Sequence, residues 1–454
     1  MNAWFPRITA HSLAIVISVL AYILTTRVEH ERRPPSIAIA WVLGLIALPY
    51  IVLPMYLLFG RRKLPRRISK WSGVRSRGKH WAEDLIESFG LPASNACAVT
   101  LHGDGKASAA ALFDTMASAT ARLDICTYIL GDDPFGREAM QRMIECVQRG
   151  VQVRLMLDGF GALQLPSASF KQLKAGGIDT AIFSPLLARK TQGPRNLRNH
   201  RKMVVADGGR LWAGGRNLAA EYFIGLHGAP PWVDLSFDLQ GAVAGAAAAQ
   251  FEADWVAAGG KAATRDVKGT APNCEVTARA QYLPSGPDQT EDTVQALLID
   301  ACFHARERML AVTPYFVPDV SLETALRLAA RRGVQIDLFI PAVSNHRLAD
   351  FSRGRALRSL SGAGVNIHLL PYMIHAKAMV FDESIAICGS VNLDSRSLLL
   401  NYECAVVFYG AREVDWFAAW IHALLPQSQP FENRAPGLLR DLCEGLLLTV
   451  AYQL

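Results

Sequence analysis

Two eight-residue stretches of the chain carry the same chemistry-bearing residues, "HRKMVVAD" at 200–207 and "HAKAMVFD" at 375–382. Each reads His, one residue, Lys, four residues, Asp. In a strand the side chains alternate, so His200 shares a face with Lys202, and His375 with Lys377. Asp207 and Asp382 have the opposite parity and lead into "DGG" and "DES". They read as turn and strand-anchoring groups. Past each turn the chain should return antiparallel. A hairpin centred about eight residues past each His sets Asn217 opposite His200 and Gly215 opposite Lys202. It likewise sets Asn392 opposite His375 and Ser390 opposite Lys377. The flanking "GGRN" and "GSVN" supply small residues where a ligand must approach closely.

Two His, two Lys and two Asn suit a phosphate better than a metal. Ammonium groups and amides are donors for non-bridging oxygens. One imidazole can attack phosphorus while the other protonates the leaving oxygen. Each His needs a partner that fixes its tautomer. Asp234 in "WVD" and Glu403 in "LLLNYE", each a little downstream of its motif, are the candidates. The expectation is no metal and no cofactor.

The elements that must position these residues also occur twice. The first half reads strand "LDICTYIL", helix "GREAMQRMIECVQRG", strand "VQVRLMLD", then "FKQLKAGGIDTAIF" before the first motif. The second reads "RMLAVTPYF", "SLETALRLAARRG", "VQIDLFIP", then "LRSLSGAGVNIHLL" before the second motif. Met140, Met143, Ile144 and Val147 in one helix, and Leu322, Ala325, Leu326 and Ala329 in the other, have helical spacing. Strand and helix alternating twice over predict two α/β units packed about a pseudo-two-fold axis, with one motif from each at the seam.

The 454 residues suit two similar domains, and with half of them hydrophobic a large core is no obstacle. The net charge of +7 is compatible with nucleic acid or an anionic membrane surface. The eight cysteines show no CxxC pair and read as buried reduced thiols. Ile8 to Thr26 and Ile37 to Gly60 are uncharged runs joined by "RVEHERRPP". They predict a two-helix membrane hairpin rather than a signal peptide, with Pro49 and Pro54 inside the second run. Nine Lys or Arg and no acid follow between Arg61 and Lys79. That excess places the following domain in the cytoplasm and favours anionic headgroups. The expected boundaries are 1–60 for the hairpin, 61–95 for a basic juxtamembrane linker, 96–265 for the first repeat and 266–454 for the second. The C-terminal "LLRDLCEGLLLTVAYQL" reads as a core or interfacial helix, because Arg440, Asp441 and Glu444 interrupt it.

The duplicated motif resembles the signature of the phospholipase D superfamily. More narrowly, "YLLFGRRK", "RNLRNHRK", "TPYFVPD" and "GSVNLDSRSLLLNYE" make the chain similar to bacterial cardiolipin synthases, over nearly its whole length. The resemblance implies an α/β fold of two tandem phospholipase D-like repeats in a pseudo-dimer behind a membrane hairpin, in the bacterial inner membrane. It implies phosphatidyl transfer between two phosphatidylglycerols to give cardiolipin and glycerol, through a phosphohistidine and without a metal. It carries the catalytic set onto His200, Lys202, Asp207, His375, Lys377 and Asp382. Asn217, Asn392 and Ser390 fall in the phosphate-binding set, and Asp234 and Glu403 orient the histidines. It favours His200 as nucleophile and His375 as acid. Two departures stand near the headgroup region and bear on acceptor choice. "NLAAEY" has Ala219 and Ala220 where Gly-Asp is common, and "WVD" replaces "WRD".

Rival readings are a hydrolytic phospholipase D, a membrane-attached phosphodiesterase or nuclease, and a non-catalytic scaffold. Basic residues crowd beside the apolar runs, with no basic–aromatic stripe, so nucleic acid is not an expected partner. The motif does not separate water from alcohol as acceptor, and oligomeric state and acyl preference stay open.

Overall fold

A computed structural model describes residues 5–29, 35–60, 80–93, 95–185, 196–226, 228–262 and 278–448. The basic segment 61–79 and the expected repeat boundary at 265/266 lie outside the described residues.

The two uncharged runs are helical: α1 (Phe5–Glu29), then α2 (Pro35–Ala47) and α3 (Pro49–Phe59). Pro49 starts a new helix rather than continuing α2, as expected for a residue without a backbone N–H. The three helices share a small packed centre of Tyr22, Leu45 and Tyr56. Thr25 Oγ1 lies 2.6 Å from the Tyr56 hydroxyl. Among the described residues no helix is long and apolar enough to cross a membrane.

The expected linker is partly folded. Helix α4 (Trp81–Ser88) packs Ala82 and Ile86 into the core of the second repeat, and Glu83 pairs with Arg279. Residues 80–93 therefore belong with the α/β body. The amphipathic spacing of Ala82 and Ile86, four apart, is what docks them.

Seven strands come from the first repeat: β1 (Asn95–His102), β2 (Arg122–Thr127), β3 (Gln152–Asp158), β4 (Asp179–Phe183), β5 (Met203–Ala206), β6 (Arg210–Gly214) and β7 (Ser236–Gly241). The second repeat supplies β8 (Ala278–Ser285), β9 (Arg308–Val312), β10 (Phe316–Val317), β11 (Gln335–Pro341), β12 (Asn366–Leu370), β13 (Ala378–Phe381), β14 (Ile385–Gly389), β15 (Leu393–Asp394), β16 (Glu403–Phe408) and β17 (Gln429–Pro430). All but β10 and β15, which pair with each other, form one sheet. Its order is β17-β12-β11-β9-β13-β14-β16-β8-β1-β7-β6-β5-β2-β3-β4. Read outward from the β8–β1 contact, the two halves repeat the same order, and β17 adds an edge strand. β1 and β8 pair antiparallel, Asn95 opposite Ala280, as a two-fold at the seam requires. Two half-sheets with one connectivity thus merge into the predicted pseudo-dimer.

Helices cover both faces. The helix at 242–257 and the helix at 411–422 bury Val243, Phe251, Val414 and Phe417 in one core that spans the seam. On the opposite face each repeat has its own core, built from Leu112, Met140 and Met143 in the first and Leu297, Leu322 and Leu326 in the second. Burying single Leu or Met side chains at these positions contributes about 1.5–3 kcal/mol each.

Candidate active site

Each motif lies at the start of a hairpin. His200 and Lys202 are in the extended lead-in to β5, and His375 and Lys377 precede β13. The ladders pair Met203 with Ala213 and Ala378 with Cys388. The register is one residue tighter than expected. Gly214 rather than Gly215 continues the pairing opposite Lys202, and Gly389 N donates to Lys377 O at 3.3 Å, in place of Ser390. The reason is a three-residue loop in each hairpin, with Asp207 and Asp382 at its left-handed first position, both at φ 51°.

Those aspartates are anchors. The Asp207 carboxylate accepts the backbone N–H groups of Thr120, Ala121 and Arg122 and the Thr120 hydroxyl. These bonds outweigh the upward push of partial burial and hold its carboxyl below the usual range. Asp382 accepts from the N–H groups of Arg306, Glu307 and Arg308 at 2.9–3.0 Å. Neither lines the cavity that holds the histidines, so their place in the catalytic set is corrected to one of tying each hairpin to β2 or β9.

The cavity, of about 510 Å³, lies at the seam beyond the C-terminal ends of β2 and β9. His200, His375, Asn217 and Asn392 line it together. Both asparagines reach it after the chain has left the strand. Gly214 and Gly389 permit that exit, since a Cβ at either would strike the backbone of Leu235 or Cys404.

The two repeats exchange carboxylates. His200 Nδ1 lies 2.9 Å from Glu403 Oε1, and His375 Nδ1 lies 2.7 Å from Asp234 Oδ2. Each His is therefore oriented by the acid of the other repeat, not by the acid downstream of its own motif. The backbone enforces the exchange: His200 N donates to Tyr402 O at 2.8 Å, and His375 N to Val233 O at 2.7 Å. With Nδ1 committed, Nε2 is the ring atom that remains for chemistry; that of His375 also lies 3.1 Å from Lys377 Nζ.

Burial decides the charges. It lowers the His200 pKa against the opposing pull of Glu403. It lowers His375 to about 3, with the Lys377 ammonium adding to the effect. It likewise brings Lys202 down to about 8 and Lys377 to about 7. Asp234 resists burial and falls to about 2, because His375 and Lys377 stabilise its anion; Glu403 is held low by His200 in the same way. Two neutral imidazoles on two carboxylates result. The amines sit beneath them rather than on the cavity wall: Lys202 Nζ donates to His200 O at 2.8 Å, and Lys377 Nζ donates to His375 O.

Ser390 does not face the cavity. Its hydroxyl donates to Glu403, while at the matching position of the first repeat Gly215 leaves the space that Asp234 occupies. Ser390 is thereby corrected from a phosphate ligand to a support for the carboxylate.

Several cavity residues escaped the sequence reading. Tyr222 accepts from Asn217 Nδ2 at 2.8 Å, and Ser397 accepts from Asn392 Nδ2 at 3.2 Å. Each hydroxyl stands five residues after its Asn, a spacing shared by both repeats and legible in the sequence. Tyr128 and Tyr222 present ring edges to His200 and His375, with centroids 5.2 and 5.1 Å apart. Arg198, Arg396 and Tyr315 also line the wall; all three sit in the quoted "RNLRNHRK", "GSVNLDSRSLLLNYE" and "TPYFVPD". Among the described residues no group of three or more His, Cys, Asp or Glu is arranged to hold a metal ion.

A duplicated His-Lys-Asn centre at the seam of two α/β repeats, with crossed carboxylates, defines the phospholipase D class. The whole-chain comparisons narrow it. Residues 112–255 and 298–425 match the family described as cardiolipin synthase, phospholipase D-like domain, and the chain belongs to that family of phosphatidyltransferases. Residues 14–61 match the phospholipase D-nuclease N-terminal family. Cardiolipin synthase A of Pseudomonas aeruginosa is 29% identical over 444 residues, covering 91% of this chain and 88% of the relative. The major cardiolipin synthase of Bacillus subtilis is 29% identical over 431 residues, covering 88% of each. Phosphatidylserine synthase from Haemophilus influenzae has the same fold, with a TM-score of 0.62 at 14% identity over 82% of this chain and 99% of its own.

Proposed function

We propose that the protein makes cardiolipin and glycerol from two molecules of phosphatidylglycerol, by way of a phosphatidyl-histidine. The observation that carries the reading is the pair of histidines on one cavity wall, each held at Nδ1 by a carboxylate from the opposite repeat. Nε2 of His200 attacks phosphorus, and the glycerol oxygen leaves with a proton from His375. A second phosphatidylglycerol then gives its hydroxyl proton to His375, and its oxygen displaces His200. The amides of Asn217 and Asn392, and the ammonium groups of Lys202 and Lys377, supply positive potential to the phosphoryl oxygens.

The acid must acquire its proton in the presence of substrate. Burial and the Lys377 charge hold His375 neutral against the opposing pull of Asp234, and a substrate phosphate in the cavity adds a second anion to that pull. One observation favours the reverse assignment. The His375 side chain is 4% exposed against 15% for His200, and this deeper burial keeps that imidazole in the nucleophilic form.

We further propose that α1–α3 anchor the chain in the bacterial inner membrane as a hairpin, with the α/β body in the cytoplasm. Leu13, Val16, Leu20, Leu43, Ile51 and Leu57 are all exposed around the small helical centre, which is the pattern of a lipid-facing bundle.

Incubation with phosphatidylglycerol alone, followed by lipid analysis, tests the reading. Cardiolipin with equimolar glycerol supports it. Phosphatidic acid as sole product means hydrolysis, and no lipid turnover refutes it.

A further inference from the structure

The C-terminal helix at 438–448 is amphipathic, but its faces are reversed relative to an ordinary surface helix. Its acids pair with arginines of the helix at 354–361, and Glu444 is drawn fully inward. Asp441 accepts from Arg355 Nε at 3.0 Å, and Glu444, fully buried, pairs with Arg358 and with Arg440. The backbone is shaped for these pairs. A Cβ at Gly354 would meet Glu444 Oε1 at 2.7 Å, and a Cβ at Gly445 would meet the Arg355 guanidinium at 2.9 Å. The apolar side faces out, with Leu438 at 78%, Leu439 at 76% and Leu442 at 60% exposure.

The helix itself lies next to a segment that lines the cavity. The helix packs on the short helix Arg347–Ser352, which carries the cavity residue Ala349 and follows the cavity residues Asn345 and His346. Leu348 and Val343 on that segment are also exposed. Glu444 is consumed by pairs with Arg358 and Arg440, Asp441 is half-exposed but neutralised by Arg355, and Arg347 remains at the surface. The outward surface is therefore apolar and cationic, the combination that suits an anionic bilayer.

We propose that the C-terminal helix is an interfacial membrane contact: Leu438, Leu439 and Leu442 insert at the headgroup boundary and set the cavity mouth against the lipid surface. This rests on reading the cavity as a phosphatidylglycerol site. A two-chain lipid must reach a site of which the histidines form one wall. A mouth held at the interface lets the headgroup enter while the acyl chains stay in the bilayer.

The test uses the full chain reconstituted in vesicles of phosphatidylglycerol and phosphatidylcholine. Cys97, Cys274 and Cys443 are replaced by Ser, and a fluorophore is placed at L439C; the five other native cysteines are all buried. Lipids carrying a quencher at the shallow end of the acyl chain should quench it, and aqueous iodide should not. Quenching by iodide alone would overturn the proposal. So would a dimer that L438S/L439S/L442S dissolves, since the face would then belong to a second copy. The triple variant should lose about ten-fold or more in turnover on bilayers and stay within about two-fold on monomeric short-chain phosphatidylglycerol. Equal loss on both substrates would mark the helix as structural only and sink the idea, as would no loss on either. If the unaltered chain turned over neither substrate, the proposed function would fail, and the quenching result would still decide the docking.

Discussion

Lys377 is expected to reduce the stability of the fold it serves, and Lys377→Met should expose that cost. Its ammonium is buried beside His375, and burial brings its pKa from 10.5 to about 7 even with Asp234 and Glu403 nearby. A displacement of that size corresponds to about 5 kcal/mol at ~1.36 kcal/mol per unit. The sign follows from proton counting. Between about pH 7 and 10.5 the unfolded chain binds the proton and the folded chain does not, so stability rises with pH across that window. Below about pH 7 both states carry the charge and the whole penalty is present. Methionine keeps the volume and removes the charge. It also removes the amine's bond to His375 O and its attraction to Asp234, so the net gain falls short of the full figure. Replacing a whole buried ion pair by apolar groups of similar volume yields about 0–4 kcal/mol, and the gain is expected here because Asp234, the charge left behind, keeps its bond to His375. Urea unfolding in detergent at pH 6.5 and pH 10 should therefore show K377M more stable than the unaltered protein at the lower pH, with the gap closing at the higher. Turnover should be lost, and glycerophosphate should stabilise the unaltered protein but not the variant. A variant less stable at pH 6.5, or a gap independent of pH, would show that the ammonium is not held against its solvation cost.

Asn392→Ala should leave the fold intact and lower turnover on the order of a hundred-fold, because it removes a preorganised donor beside the phosphoryl oxygens. Asp382→Asn should act the other way, costing about 1–3 kcal/mol of stability through its three backbone N–H partners while the folded fraction keeps its turnover. Loss of all activity in fully folded D382N would return the aspartate to the catalytic set. Turnover should survive EDTA; complete loss that a single divalent ion restores would refute the metal-free scheme. With a phosphatidyl ester of nitrophenol, a leaving group that needs no acid, His375→Ala should release nitrophenolate and accumulate a covalent phosphatidyl-His200, seen by mass spectrometry after rapid quenching, whereas His200→Ala should not. An adduct on His375 in the converse experiment would reverse the two roles, as the deeper burial effect at that ring suggests.

Much of this protein was legible from pattern alone. The repeated His-x-Lys-x4-Asp stretches, their Asn partners and the duplicated strand–helix order depend on local spacing. Local spacing survives into the fold because strand alternation and helical periodicity are backbone properties. The turn role of Asp207 and Asp382 followed from parity, and both take the left-handed turn conformation. The hairpin register did not, because a three-residue loop and a longer one differ by half a residue at the centre, a difference no hydrophobic pattern marks here.

What only the tertiary structure decided are the relations between segments far apart in the chain. His200 and Glu403 are separated by 203 residues, and His375 and Asp234 by 141, so nothing local could reveal that the carboxylates are exchanged. The exchange exists because β1 and β8 join two half-sheets about an antiparallel seam, which brings the end of each repeat beside the start of the other's motif. The same limit applies to charge. The residue types announced donors and bases, but their proton affinities depend on burial, and burial is a property of the assembled core. The outward leucines of the last helix are a further case. The sequence showed an apolar helix interrupted by charge, while the direction of its apolar face was set by Arg355 and Arg358, which pair with its acids and leave the leucines outside.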